Sequence, residues 1–195
     1  MLRIIGGTIR GRLIKVPRSS KIRPTSDKVR ESIFNIIPPD VVNGSTFMDL
    51  FAGCGAVGIE ALSRGAGHVT FTESDYRHAR IIRENLECCG FKESSEVFCS
   101  DVLLMLDKIL LHNRLYNIIF VDPPYNYPKF KILLPKIITN VKISDYGFMI
   151  VEHSSKVKLP EKIDDMALYG NYVYGDTALT VYRKDIIKGA RGQGA

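Results

Sequence analysis

Cysteine is scarce in this 195-residue chain: four residues, at positions 54, 88, 89 and 99, with no CxxC pair and only four scattered histidines. That spacing gives no zinc site, so no metal is expected. No apolar stretch approaches the roughly 20 residues of a membrane span. The first residues alternate charged and apolar side chains and lack a signal-peptide core. Free thiols without an export signal point to the cytoplasm. Acidic residues are nearly missing from positions 1–37, where Asp27 and Glu31 face nine Lys and Arg, a balance of +7. Residues 38–195 hold 18 basic and 19 acidic side chains, so the chain's net +6 resides in its first segment. Isolated charge runs are commonly just solvated surface. Here the basic residues alternate with Gly, Pro and apolar residues, which favours a phosphate-backbone partner.

The length suits one ample domain with a small appendage. Residues 1–40 read as a basic arm. Positions 2–5 and 8–16 alternate around Gly6-Gly7 and Gly11, predicting two short strands with Arg10 and Arg12 on one face. A loop from Pro17 to Pro24 follows, with Arg23 extended before proline. Thr25 or Ser26 then caps a helix that carries Val29, Ile33, Phe34 and Ile37 at helical spacing and stops at Pro38-Pro39. The body, 41–185, alternates strand and helix five times: strands at 46–50, 68–73, 97–100, 118–121 and 148–151, helices ending near Arg64, Cys89, His112 and Ile137. Segments 167–174 and 177–183 form a hairpin across Gly175-Asp176. This is an α/β, Rossmann-like, mostly parallel sheet of doubly wound type with an antiparallel C-terminal hairpin. Residues 186–195 are expected to be a disordered tail.

Two features carry the chemistry. The run Ile118-Ile119-Phe120-Val121 delivers Asp122-Pro123-Pro124-Tyr125 to the end of a buried strand, where ligands sit in such sheets. Phe51-Ala52-Gly53-Cys54-Gly55 with Gly58 fits GxGxxG, and Glu73-Ser74 closes the next strand. That pattern alone accommodates NAD, FAD or another adenosine cofactor. Asp49 argues against a dinucleotide, because a carboxylate beside the loop repels phosphate and suits an ammonium. S-adenosyl-L-methionine has an ammonium, no phosphate, and a ribose for Glu73. Asp101 can accept from the adenine amino group, with Val102 offering backbone polarity; a plain helix cap is an equal reading of Asp101. The Asp122 carboxylate and the Pro123 carbonyl could accept both hydrogens of an aryl amine and aim its lone pair at a methyl donor. Tyr125 can stack on an unpaired or flipped base.

The order of these residues resembles class I S-adenosylmethionine-dependent methyltransferases of the amino-methylating type. More specifically, Ile4-Ile5-Gly6-Gly7, Arg10-Gly11-Arg12, Arg23-Pro24-Thr25, Asp27, Val29-Arg30-Glu31 and Phe34-Asn35 resemble the bacterial 16S ribosomal RNA guanine-N2 methyltransferases of the RsmD type. The likeness extends through Phe51 to Gly58, Glu60 to Ala66, Val121 to Tyr125 and Tyr174-Gly175-Asp176-Thr177. It implies a seven-stranded class I methyltransferase fold and N2-methylguanine in small-subunit RNA as product, made on an assembled or assembling subunit. It also implies that Asp122, Pro123 and Tyr125 act on the base. Asp49, Phe51, Ala52, Gly53, Gly55, Gly58, Glu73, Ser74, Asp101, Val102 and Asp122 would hold the cofactor. Arg10, Arg12, Arg23, Thr25, Lys28 and Arg30 would hold RNA, and the protein is expected to be a monomer. The strand-two end, Thr72-Glu73-Ser74-Asp75, points to Glu73 rather than Asp75 as the ribose ligand.

Other classes fit less well. A DNA adenine or cytosine amino-methyltransferase shares the body but needs a target-recognition region that 195 residues leave little room for. Protein glutamine methyltransferases usually carry Asn at the position of Asp122. For an NAD-dependent oxidoreductase, Asp49 is misplaced and no proton relay follows the fourth strand. A non-catalytic RNA-binding protein on the same scaffold has no need of an intact Asp122 to Tyr125.

Overall fold

A computed structural model of the chain describes residues 1–17, 26–109, 111, 113–124 and 127–184. Arg23, Thr25, Tyr125 and the tail 186–195 lie outside the described residues. Eight strands form one sheet in the order β5-β4-β3-β6-β7-β10-β9-β8. β3 (Thr46–Leu50), β4 (His68–Glu73), β5 (Ser95–Cys99), β6 (Leu115–Val121) and β7 (Lys142–Ser154) run parallel. β9 (Met166–Tyr174) and β10 (Thr177–Lys184) form the antiparallel hairpin, and the two-residue β8 (Lys162–Ile163) extends the expected seven strands at its edge.

Strand alternation divides the core into two layers. Phe47, Phe120 and Ile150 face one cluster, while Met48, Val121 and Val151 face the other. The second layer is closed by α5 (Val102–Ile109) and α6 (Phe130–Asn140). The first is closed by α3 (Ala56–Ser63), α4 (Tyr76–Cys89) and the arm itself. α1 (Asp27–Ile36) is capped by Ser26, whose side chain accepts the Val29 N–H, as its sequence predicts. Ile33 and Ile37 are 0% exposed against the sheet, a burial worth roughly 1.5–3 kcal/mol each. α2 (Pro39–Val42) starts at the second proline, which suits a first helical turn.

The arm is therefore part of the main core. Its hairpin is smaller than expected: β1 (Leu2–Arg3) pairs with β2 (Leu13–Ile14), and residues 8–11 are turn. Arg10 and Arg12 consequently lie outside the strands and do not share a strand face. Backbone N–H groups of Ile5 and Gly6 donate to the two carboxylate oxygens of buried Glu60 at 2.8 and 2.7 Å. Thr8 N–H donates to the Ser63 carbonyl at 2.7 Å, and Ser63 Oγ donates to the Gly6 carbonyl at 2.6 Å. A Cβ on Gly7 would lie 1.9 Å from the Ser63 oxygen, so this close approach of two backbones requires glycine.

β7 is longer than the expected 148–151. Tyr146 takes φ 63°, and the strand continues through this kink. The register with β6 shifts between Tyr116 and Ile118 to accommodate it.

Candidate active site

The carboxyl ends of β3, β4 and β6 bring Asp49, Glu73 and Asp122 together. Asp49 pairs in register with Phe71 and Phe120. Its side chain is 2% exposed and turned toward α3, where Gly58 N–H donates to Oδ2 at 2.9 Å. Burial is the main cause that pushes its carboxyl up to about 8; the charges of Asp122 and Glu73 add to it, and the Gly58 hydrogen bond opposes them. An ionised Asp49 thus lacks an offsetting cation. A ligand carrying positive charge would relieve the site, and a phosphate would aggravate it.

The glycine loop supports that distinction. Ala52 N–H donates to the Thr72 carbonyl at 2.9 Å and Gly55 N–H to the Ala52 carbonyl at 2.7 Å. Gly53 N–H donates to Glu73 Oε2 at 2.8 Å. These amides, with that of Gly58, are held inside the protein, so they do not form an open cradle for a pyrophosphate. Phe51 adopts φ 65°, a strained conformation for an aromatic residue, and its ring meets Tyr127 edge-on at 5.2 Å. The loop is thereby braced against the segment following Pro124, whose carbonyl accepts the Tyr127 N–H at 2.8 Å.

One expected cofactor contact is corrected. Gly58 is buried, and a Cβ there would sit 2.2 Å from the Phe71 ring. Its role is close helix-to-strand packing and the hydrogen bond to Asp49. The Val102 side chain is 2% exposed in the second core layer, so what Val102 can offer a cofactor is its backbone. Glu73 receives Gly53 N–H on Oε2 and Asp75 N–H on Oε1, both at 2.8 Å, leaving Oε2 a further lone-pair direction. Ser74 is exposed, with Oγ 3.4 Å from Glu73 Oε1. Asp75 caps α4 and pairs with Arg77, which holds its carboxyl well below the usual range. Asp101 caps α5, with Oδ1 accepting from Leu103 and Leu104 N–H at 2.9 and 3.3 Å; the capping reading is thus realised, and Oδ2 is not involved in it.

These residues fit a sulfonium amino-acid nucleoside: their carboxylates suit a cationic group and ribose hydroxyls, and the Ala52, Gly53, Gly55 and Gly58 amides are already engaged. Beside them, Pro123, Pro124, Tyr127, Phe130, Glu152 and His153 line a cavity of about 70 Å3. Pro123 is buried, and Asp122, half-buried directly before it, donates its N–H to the Leu50 carbonyl at 3.4 Å. Glu152 and His153 escaped the sequence reading, although the same signal that marks Asp122, polar residues directly after a buried apolar run, was present after Val151. His153 Nδ1 lies 2.9 Å from the Ser154 carbonyl and Nε2 2.7 Å from Thr180 Oγ1. Since a carbonyl only accepts, Nδ1 carries the proton. Burial holds the His153 pKa below its ordinary value, favouring the neutral ring.

On the arm, Arg10 and Lys28 are exposed beside a groove also lined by Arg3, Asp27 and Glu31. The exposed Arg12 donates from Nη2 to the Cys88 carbonyl. Arg30 departs from its expected place. It is 0% exposed, with Nη2 donating to the Arg3 carbonyl at 2.9 Å and to Asp27 at 2.7 Å, so it braces the arm and cannot meet an RNA surface.

A model of the family described as "Conserved hypothetical protein 95" matches residues 2–183. Over 183 residues the chain is 37% identical to YlbH of Bacillus subtilis, covering 94% of this chain and 99% of that protein. Ribosomal RNA small subunit methyltransferase D of Escherichia coli K12 is 33% identical over 94% of this chain and 90% of its own length. The structure of yhhF from Escherichia coli superposes with a TM-score of 0.83 at 31% identity, covering 94% of this chain and 98% of that one.

Proposed function

This chain belongs to the conserved hypothetical protein 95 family, that of ribosomal RNA small subunit methyltransferase D, and we propose that it methylates the exocyclic N2 of a guanine in 16S ribosomal RNA. The methyl donor is S-adenosyl-L-methionine, and the substrate is the RNA of the assembled or assembling small subunit. The observation that carries this reading is that Asp122 lies close to the Asp49–Glu73 carboxylates while the next residue, Pro123, lines the cavity with Glu152.

When bound, the donor supplies an electrophilic methyl group on a positively charged sulfur. Asp49 would hold the donor's ammonium, and Glu73 would accept from its ribose. An aryl amine is a weak nucleophile because its lone pair is delocalised into the ring. The Asp122 carboxylate and Pro123 carbonyl each accept one N2 hydrogen, which turns the lone pair toward the methyl carbon. Taking up the methyl group, whose former bonding pair would stay with the donor's sulfur, would leave the nitrogen cationic. Its surplus proton passes to Asp122 and then to water. The reaction needs a base lifted from its stack, and Tyr127 and Phe130 offer it apolar ring surface. Exposed Arg10 and Lys28 hold RNA backbone.

The test is incubation with labelled S-adenosyl-L-methionine and unmodified small subunits, bare 16S RNA or duplex DNA, followed by nucleoside identification. N2-methylguanosine from ribosomal RNA supports the reading. Methyladenine or methylcytosine from DNA would overturn its substrate.

A further inference from the structure

We propose that Glu152 selects the base, its carboxylate accepting the N1–H of guanine while Asp122 accepts from N2. This rests on the guanine-N2 reading above and names what would make it guanine-specific. Asp122 and Pro123 engage only an amine, which adenine and cytosine also have. Selection must come from the atom next to that amine. In guanine the neighbour, N1, is a donor; in adenine and cytosine the corresponding ring nitrogen is an acceptor.

The topology brings the two carboxylates to one cleft. β6 and β7 are adjacent parallel strands with Val121 opposite Val151, so Asp122 and Glu152 are the next residues on neighbouring strands. Such strands lie about 4.8 Å apart, a separation that lets two carboxylates address adjacent atoms on one edge of a flat ring. Glu152 lines the cavity together with Pro123, Pro124, Tyr127 and His153, and Asp122 is the residue directly before Pro123 in that lining. Glu152 is 9% exposed, so a base presenting an acceptor there would meet a largely desolvated carboxylate, an arrangement that rejects strongly. His153 is fixed by Ser154 and Thr180 and serves as a wall. Tyr127 Oη is buried with no hydrogen-bond partner among the described residues, leaving a donor for one of guanine's acceptor atoms.

The experiment uses small subunits reconstituted with RNA carrying guanosine or 2-aminopurine at the methylated position. 2-Aminopurine keeps the exocyclic 2-amine but has an acceptor at N1. The wild-type protein should prefer guanosine in kcat/KM by roughly 100-fold or more. Glu152→Gln should slow guanosine methylation by about 10- to 100-fold and bring the two substrates level or invert them, because an amide can donate to N1. Cofactor affinity, read by calorimetry, should stay unchanged. Equal rates for the two bases in the wild-type protein would overturn the assignment without any variant, as would an unchanged preference in Glu152→Gln. If the wild-type protein makes no N2-methylguanosine on the guanosine RNA, the guanine reading itself fails and this assignment with it.

Discussion

Replacing Asp49 with Asn should make the ligand-free protein more stable at pH 8 while weakening its hold on the cofactor. The amide oxygen can still accept the Gly58 N–H now held at 2.9 Å, so the substitution removes charge and little else. In the folded wild type the carboxyl is pushed from 3.8 up to about 8. A group with a raised folded pKa contributes stability below its unfolded pKa and loses it as pH rises through the folded value. Wild-type stability should therefore decline between about pH 4 and pH 8 relative to the variant, by as much as about 1.4 kcal/mol per pH unit. Over the whole window the shift corresponds to at most roughly 5–6 kcal/mol. Water penetration and relaxation reduce such buried-charge costs, so a difference of about 2 kcal/mol or more at pH 8 is expected. Thermal and urea unfolding of both proteins from pH 5 to pH 9 measures it. The same ionisation should govern binding: a cationic ligand favours charged Asp49, so wild-type affinity for S-adenosyl-L-methionine should rise toward pH 8 more steeply than the variant's. Comparing the two proteins cancels the ligand's own titration. A variant less stable than wild type at pH 8, or identical pH slopes of affinity, would refute the reasoning.

Asp122→Ala should abolish methyl transfer while S-adenosyl-L-methionine binding by calorimetry changes by less than about tenfold; loss of both together would assign Asp122 to structure. Arg10→Glu with Lys28→Glu should lower the slope of log K for RNA against log salt by about two, whereas an unchanged slope would remove the groove from the RNA interface. Arg30→Ala should leave that slope alone and instead cost about 1–3 kcal/mol of stability, through the lost bond to the Arg3 carbonyl and the stranded packing. Glu60→Ala should cost about 2–4 kcal/mol, because the Ile5 and Gly6 N–H groups lose a charged acceptor; limited proteolysis should then cut first near the arm, and an uncut arm would contradict its dependence on Glu60.

Much of this architecture was written locally in the chain. β3 and β4 occupy the bounds their apolar runs predict, Ser26 caps α1, and Gly90 ends α4 with φ 78°. Hydrophobic period, capping side chains and left-handed glycines act over a few residues, so reading them requires no knowledge of distant partners. The position of Asp122 at a strand's carboxyl end followed from the same signals. Tertiary structure decided which polar groups already have partners and which face a ligand. Arg30 shares a helix with Lys28, yet one is buried against Arg3 and the other is exposed. Gly58 carries the spacing of a cofactor loop but packs on Phe71, thirteen positions away. Glu60 and Ser63 lie within an apolar helix whose exterior the arm covers from more than fifty positions earlier. Glu152 reaches the cleft only because β6 and β7 lie side by side. Such outcomes depend on pairings across long separations, where burial decides whether a charged side chain meets a base, a backbone or water.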